Sequence, residues 1–243
     1  DIYCAALPAD RQGEVPHRYV LGLYEFLDRL GKRYPDMLIE GCSGGGGRFD
    51  AGMLHYTSQI WCSDDTDTIE RLKIQYGTSF AYPVSAVGSH VSACPNHQTG
   101  RFVPFETRAA VAMAGTFGYE LDPAKLSEEE KTQIRGQIEE FKKYYDVIHF
   151  GDYYRLTNAM EEGPYAAWEF VSEDGNEALV SVVASRVRAN DPGVRIRLRG
   201  LKENQMYLVN GVEYPGGALM HGGILLEEAK KEYQSWNYHI TAK

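Results

Sequence analysis

The period of the hydrophobic pattern changes once along the chain, near Gly151. Before this glycine, apolar residues recur at helical spacing in several segments, and short apolar runs separate those segments. After it, apolar and polar residues alternate with a period of two, which is typical of antiparallel strands. The pattern therefore predicts an α/β part at residues 1–151 and an antiparallel β domain at residues 152–243.

The α/β part contains four strand–helix units in a row. The pattern predicts strands at 37–41, 59–65, 81–93 and 117–121, and helices at 14–34, 50–58, 68–80, 105–116 and 126–151. Helix starts are marked by Asp67 with Glu70, and by Ser127 with Glu130. A complete (β/α)8 barrel needs eight units in about 250 residues. Four units predict either a small open parallel sheet or half of a barrel.

The β domain is predicted as a sandwich. Period-two segments lie at 153–158, 165–174, 176–189, 193–201, 205–211 and 236–242. Turn signals at Asp174-Gly175, at 190–193 and at Asn210-Gly211 separate several of them.

Charge and cysteine usage limit the partners. The net charge of −9 argues against nucleic acid and against an acidic membrane surface. No run of about 18 apolar residues is present, so we expect no transmembrane span. The first ten residues lack the pattern of a signal peptide. The four cysteines form no CxxC pair, which predicts reduced thiols in a cytoplasmic protein, although composition does not exclude a disulfide.

A glycine run, Gly44–Gly47, follows the first predicted strand. Glycines leave the backbone bare, and ligands of α/β folds bind at the carboxyl ends of the strands. A phosphate loop is excluded because Arg48-Phe49-Asp50 follows the glycines instead of GK[ST], and Phe49 also breaks a dinucleotide fingerprint. A backbone site for a ligand and a flexible loop without one both remain open.

Three carboxylates, Asp64, Asp65 and Asp67, follow the second predicted strand. Asp67 is explained as a helix cap. Neighbouring strand residues point to opposite faces, so one of Asp64 and Asp65 is expected to face the barrel mouth. There, neighbouring negative charge would let it hold a proton, as a general acid must. The alternative, which spacing alone favours, is that the cluster caps the helix or pairs with Arg48 or Arg71.

Metal and serine chemistry have weaker support. His90, Cys94 and His97 lack an obvious fourth ligand, so we expect no metal. The letters G-x-S-x-G occur at residues 41–45, inside the glycine run, but serine-based nucleophilic chemistry is not expected there.

Four segments closely resemble the bacterial α-galactosidases of glycoside hydrolase family 36. They are "DRQGEVPHRYVLGLYEFLDRL", "CSGGGGRFDAGML", "QIWCSDDTDTIERLKIQYGTS" and "HVSACPNHQTGR". The similarity covers most of residues 9–108 and continues more loosely into the β domain. The resemblance implies an N-terminal β domain, a (β/α)8 barrel and a C-terminal antiparallel β domain, with no metal or organic cofactor and often a tetramer.

The resemblance also implies an activity and site residues. Such enzymes hydrolyse terminal α-1,6-linked galactose from melibiose and raffinose-type sugars with retention of configuration. The first Asp of the family's W-x-S-D motif is the acid/base and corresponds to Asp64. The Cys-x-Gly-Gly turn contacts galactose and corresponds to Cys42, Gly44 and Gly45, where a side chain on either glycine would occupy the sugar's volume.

The nucleophile of the family lies in a "KWDMNR" motif, which this chain lacks. The resemblance therefore implies strands five to eight of the barrel followed by the β domain, with the N-terminal remainder of the enzyme as a partner. We expect no turnover by the chain alone, because a retaining mechanism needs both carboxyls. Trp61 and His90 are weaker candidates for the pocket wall, and packing is the preferred role for each. A non-catalytic galactoside-binding module and a hydrolase or transferase for another galactoside are the alternatives.

Overall fold

The computed structural model describes residues 3–161, 163–187, 189–190 and 193–243. Its α/β part contains five short parallel strands in two sheets, ordered β1-β2-β3 and β4-β5. All neighbouring strands in these two sheets run parallel. Their bounds are Glu40–Gly41 (β1), Gln59–Trp61 (β2), Val87–Gly88 (β3), His90–Ser92 (β4) and Gly118–Glu120 (β5). Because only Ser89 separates β3 from β4, the strands occupy four successive positions, as the pattern predicts.

In the described part of the chain, seven helical segments accompany these strands, besides three short 3-10 turns. They are Glu14–Arg33 (α1), Ser43–Gly46 (α2), Ala51–Leu54 (α3), Thr68–Thr78 (α4), Phe105–Ala112 (α5), Glu128–Lys143 (α6) and Tyr145–Phe150 (α7). The predicted caps are present: Asp67 accepts from the backbone of α4, and Ser127 forms a capping box with Glu130. The prediction of one continuous helix at 126–151 is wrong, because the backbone leaves helical geometry at Tyr144 (φ −104°, ψ 11°).

The β domain is built on a six-stranded antiparallel sheet ordered β11-β10-β13-β8-β7-β6. A two-stranded layer, β9 with β12, completes it. The strands are Asp152–Arg155 (β6), Tyr165–Val171 (β7), Glu177–Ala184 (β8), Arg195–Ile196 (β9), Met206–Val209 (β10), Val212–Pro215 (β11), Ile224–Leu225 (β12) and Ser235–Ala242 (β13). The pattern did not predict β11 or β12, and it made β9 too long. Arg188 of a predicted strand, and Asp191 and Pro192 of a predicted turn, lie outside the described residues.

Both faces of the central sheet are covered. On β7, Ala167 and Val171 pack into the core beneath β9 and β12. Between them in the chain, Trp168 and Phe170 pack against Leu72 of α4 and other residues of the α/β part. This alternation leaves every residue of β7 buried. The β domain is therefore docked firmly onto the helices of the α/β part.

Within the described residues, no helix is both long and apolar enough to cross a membrane.

Candidate active site

Three loops meet at the carboxyl ends of the parallel strands. Residues 42–47 follow β1, residues 62–67 follow β2, and residues 93–101 follow β4. In α/β folds this edge of the sheet carries the ligand site. The glycine run and the aspartate cluster both belong to it.

The glycine turn, Ser43–Gly46 (α2), is a single turn of left-handed backbone. Gly44 (φ 69°, ψ 60°) and Gly45 (φ 72°, ψ 46°) lie in the left-handed region, and φ is also positive at Ser43 and Gly46. The Gly46 backbone N–H donates to the Cys42 carbonyl at 2.8 Å. For an L-residue with a side chain, this conformation costs roughly 1–2 kcal/mol of conformational energy, whereas glycine adopts it without that cost. The handedness of the turn is thus one reason for consecutive glycines.

Close packing on the next loop is a second reason. A Cβ atom at Gly45 would lie 2.7 Å from the Asp64 backbone nitrogen and 3.2 Å from the Asp64 carboxyl carbon. One at Gly46 would lie 2.7 Å from the Cys62 carbonyl oxygen. At Gly44, by contrast, nothing lies within 4 Å. The structure therefore brings Gly45 and Asp64 into direct contact and leaves Gly44 and Cys42 exposed beside them. Contact of this turn with a sugar stays a prediction.

The three aspartates have different surroundings. Strand β2 ends at Trp61, so Asp64 and Asp65 lie in the loop and not on the strand, contrary to the prediction. Asp67 is fully buried and caps α4. An Asp65 carboxylate oxygen accepts from the Asp67 backbone N–H at 2.9 Å. The Asp64 side chain is exposed, and its carboxylate has no hydrogen-bond or ion-pair partner among the described residues.

Asp67 is held as an anion. Burial raises the pKa of its carboxyl, but a hydrogen bond from Thr99, two from the backbone of α4 and the charge of Arg101 together lower that pKa below its usual value. Arg101 forms an ion pair with it. Its role is structural, as the cap predicted from the sequence.

Of the alternative that the spacing favours, the helix cap is present at Asp67. Among the described residues no ion pair joins the aspartate cluster to Arg48 or Arg71, although the charge of Asp65 acts on Arg71. Arg48 donates to the Tyr19 hydroxyl at 2.6 Å. Arg71 donates to the carbonyls of Ser63, at 3.1 Å, and Gly88, at 2.6 Å. Neither guanidinium bonds to Asp64, whose carboxylate is left available for chemistry.

Trp61 and His90 lie next to each other beneath the loops. Their rings stack with centroids 4.5 Å apart, and the guanidinium of Arg71 lies 4.3 Å from the centre of the Trp61 ring. Trp61 is buried, and the His90 Nδ1 atom is 3.6 Å from a Glu120 carboxylate oxygen. These contacts give both rings a packing role.

Gln98, in the loop after β4, was not predicted from the sequence. Its side-chain amide donates to the Asp64 carbonyl at 3.0 Å and accepts from the Thr66 backbone N–H at 2.8 Å. The only available signal was the position of a polar amide in a loop that follows a strand. The described residues contain no cluster of three or more His, Cys, Asp or Glu side chains suited to a metal ion, and all four cysteines are free thiols.

Two family models match this chain. Residues 1–151 match the melibiase family, and residues 165–240 match the glycosyl hydrolase family 36 C-terminal domain. The chain belongs to glycoside hydrolase family 36. The predicted architecture, the second half of a (β/α)8 barrel followed by an antiparallel β-sandwich domain, is confirmed for this family member.

Individual relatives agree with this assignment. The bifunctional α-galactosidase/sucrose kinase AgaSK of Mediterraneibacter gnavus is 58% identical over 94% of this chain. The α-galactosidase AgaA of Geobacillus stearothermophilus is 49% identical over 100% of it. A crystal structure of an AgaA variant in complex with raffinose superposes with a TM-score of 0.95, at 48% identity and covering 100% of this chain and 34% of that one.

The family 36 chain is much shorter than these relatives. It spans 25% of the length of AgaSK and 33% of the length of AgaA.

Proposed function

We propose that this chain is the C-terminal part of an α-galactosidase that releases terminal α-linked galactose with retention of configuration, and that Asp64 is its general acid/base. One observation carries the proposal. The Asp64 carboxylate is exposed at the carboxyl end of the strands, beside Gly45, and no described residue uses it for structure. A carboxyl that must exchange protons with substrate and water needs this access.

The proposed reaction has two steps. In the first, a carboxylate outside this chain attacks the anomeric carbon, while Asp64 donates its proton to the departing glycosidic oxygen. In the second, the Asp64 carboxylate takes a proton from water as that water attacks the same carbon, which breaks the bond to the nucleophilic carboxylate and releases galactose. The glycine turn would hold the sugar next to Asp64, with Cys42, Gly44 and Gly45 as contacts.

The nucleophile is proposed to come from an upstream segment of the same enzyme. The sequence of this chain contains no "KWDMNR" motif. In the described part of the chain, β1 pairs only with β2. Leu38, two residues before β1, is 88% exposed, and Phe26 of α1 is 59% exposed. An upstream half-barrel pairing with β1 would cover this edge, and the isolated chain is expected to be inactive without it.

Raffinose-type sugars are the proposed substrates. Variants of AgaA were crystallised in complex with raffinose and with stachyose, and AgaA itself is named an α-galactosidase. The close identity of this chain to AgaA supports the same substrate class here. A tetramer of the full-length enzyme, implied by the resemblance, belongs to the same proposal, as does a cytoplasmic location.

The test is the leaving-group dependence of Asp64→Asn in the full-length enzyme. We expect kcat/KM to fall by about 10²–10⁴-fold on raffinose, whose leaving group needs a proton. On an activated aryl galactoside such as 4-nitrophenyl α-galactoside, the first step should be nearly unaffected, because the phenolate leaves unaided.

Asp65→Asn is the matched control, since its amide oxygen can still accept from the Asp67 backbone. Any loss it causes should be equal on the two substrates. An equal loss for Asp64→Asn on both substrates would show that Asp64 is not the general acid.

A further inference from the structure

The backbone of Asp64 is fixed on two sides, although its carboxylate is free. Gln98 donates from Nε2 to the Asp64 carbonyl at 3.0 Å. On the other side, Gly45 lies so close to the Asp64 nitrogen that a Cβ atom would not fit. The position of the Asp64 main chain is therefore set by groups that belong to neighbouring loops.

Gln98 connects Asp64 to Thr66. Its Oε1 atom accepts from the Thr66 backbone N–H at 2.8 Å and from the Thr66 hydroxyl at 3.1 Å. One planar amide therefore contacts both ends of the Asp64–Thr66 segment. Since the two ends are bonded to opposite ends of the same amide, the segment cannot extend or rotate without breaking one of these hydrogen bonds.

Gln98 is itself held by a buried side chain. Asn96 is only 6% exposed. Its Oδ1 atom accepts from the backbone N–H groups of Gln98, at 2.9 Å, and Thr99, at 3.0 Å, while its Nδ2 donates to the Thr66 hydroxyl at 3.0 Å. The Asn96 backbone N–H donates to the Arg101 carbonyl at 2.9 Å, which closes the loop on itself.

The same loop is anchored to the start of α4. The Thr99 hydroxyl and the Arg101 guanidinium both bond to the Asp67 carboxylate. Arg101 also lies 5.7 Å from the ring centre of Tyr233, in the β domain. The loop after β4 therefore forms hydrogen bonds to Asp64, Thr66 and Asp67. Gln98 is the residue of this loop that bonds to Asp64.

We propose that Gln98 is a positioning residue for proton transfer by Asp64. This inference rests on the acid/base role of Asp64 in the proposed function. Proton transfer requires the carboxyl to lie within hydrogen-bonding distance of the glycosidic oxygen, and a displacement of about 1 Å can lower a rate by roughly 10²-fold. Gln98 is exposed, so its replacement should move the loop without disrupting a core.

Kinetics of Gln98→Ala and Gln98→Glu in the full-length enzyme test this role. Both variants lose the donor to the Asp64 carbonyl, while Gln98→Glu keeps an acceptor for Thr66. On raffinose, we expect kcat to fall by about 10–100-fold with little change in KM. On 4-nitrophenyl α-galactoside, we expect kcat/KM, which reports only the first step, to fall by less than about threefold, because the phenolate needs no proton. Thermal unfolding should stay close to that of the parent enzyme.

Gln205→Ala is the matched control. The Gln205 amide also donates to two carbonyls, those of Met206 and Lys243, but it lies in the β domain. Gln205→Ala should leave the kinetic constants on both substrates unchanged. Equal losses on the two substrates for the Gln98 variants, or no loss, would overturn the positioning role.

Asp64→Asn is measured in parallel, so that the two hypotheses fail separately. If Asp64→Asn discriminates between the substrates and the Gln98 variants do not, only the positioning role is lost. If Asp64→Asn does not discriminate, the proposed function is lost with it.

Discussion

Gly44 and Gly45 share a left-handed backbone but differ in what surrounds them. A side chain at Gly44 would meet open space, whereas one at Gly45 would meet the main chain of Asp64. Glycine is therefore required for two different reasons, backbone conformation at Gly44 and close approach at Gly45. The sequence alone shows only a run of glycines and does not distinguish these reasons.

Alanine at each glycine should separate these two reasons. We expect Gly44→Ala to lower the free energy of unfolding by about 1–2 kcal/mol through backbone strain. Gly45→Ala should lower the free energy of unfolding by more than this amount. It should also lower kcat, because the new methyl group must displace Asp64. Chemical denaturation and kinetics of the full-length enzyme measure both effects. Equal losses of stability for the two variants would contradict the close approach.

Local signals explain the predicted role of Asp67 but not the difference between Asp64 and Asp65. The cap at Asp67 was predictable because its hydrogen bonds go to residues two and three positions later. Asp64 and Asp65 could not be told apart by spacing, since their environment depends on Gly45 and on Gln98, which lies 34 positions beyond Asp64. It was the family resemblance, and not the spacing, that singled out Asp64.

Among the secondary structure elements, β7 carries an unusual residue. Glu169 is fully buried, and its side chain points from β7 into the sandwich. Its Oε2 atom accepts from the Arg199 backbone N–H at 2.9 Å, and its Oε1 atom has no hydrogen-bond partner among the described residues. Burial raises the pKa of this carboxyl to about 8, against the opposing effect of Arg199.

The raised pKa predicts a stability that depends on pH. The pKa of the Glu169 carboxyl is higher in the folded state than in the unfolded state. The protonated carboxyl therefore contributes fully to the free energy of unfolding below about pH 4.5, and this contribution is lost as the pH rises through about 8. We expect the free energy of unfolding to fall by a few kcal/mol over that window. Glu169→Gln, which is neutral throughout, should flatten the dependence and be the more stable form at pH 9. Denaturation from pH 5 to pH 9 checks this, and parallel curves for the two proteins would contradict it.

Elements with local determinants were predicted well. The helices α1 and α4 and the capping box of α6 follow from spacing and end signals. Strand β12 was missed because its two residues are a strand only through pairing with β9. No proline or glycine lies at the helix break at Tyr144, so the sequence does not indicate this break. Tertiary packing determined these features, and packing cannot be read from a local pattern.

For the whole molecule, the shared core between the α/β part and the β domain is the main structural finding. Val111 of α5, Val147 of α7 and Phe170 of β7 belong to one buried cluster. The change of hydrophobic period predicted two parts, but it contained no information on how they pack. Through Arg101 and Tyr233, this packing reaches the loop that holds Asp64.

Rescue of Asp64→Ala by azide in the full-length enzyme tests the central claim most directly. Without Asp64, an activated aryl α-galactoside should still form the glycosyl-enzyme, but water is no longer activated to release it. Azide needs no general base, and it would attack from the face opposite the nucleophile. We therefore predict that azide restores turnover and gives α-galactosyl azide, identified by nuclear magnetic resonance. Formation of β-galactosyl azide, or no rescue at all, would contradict Asp64 as the acid/base.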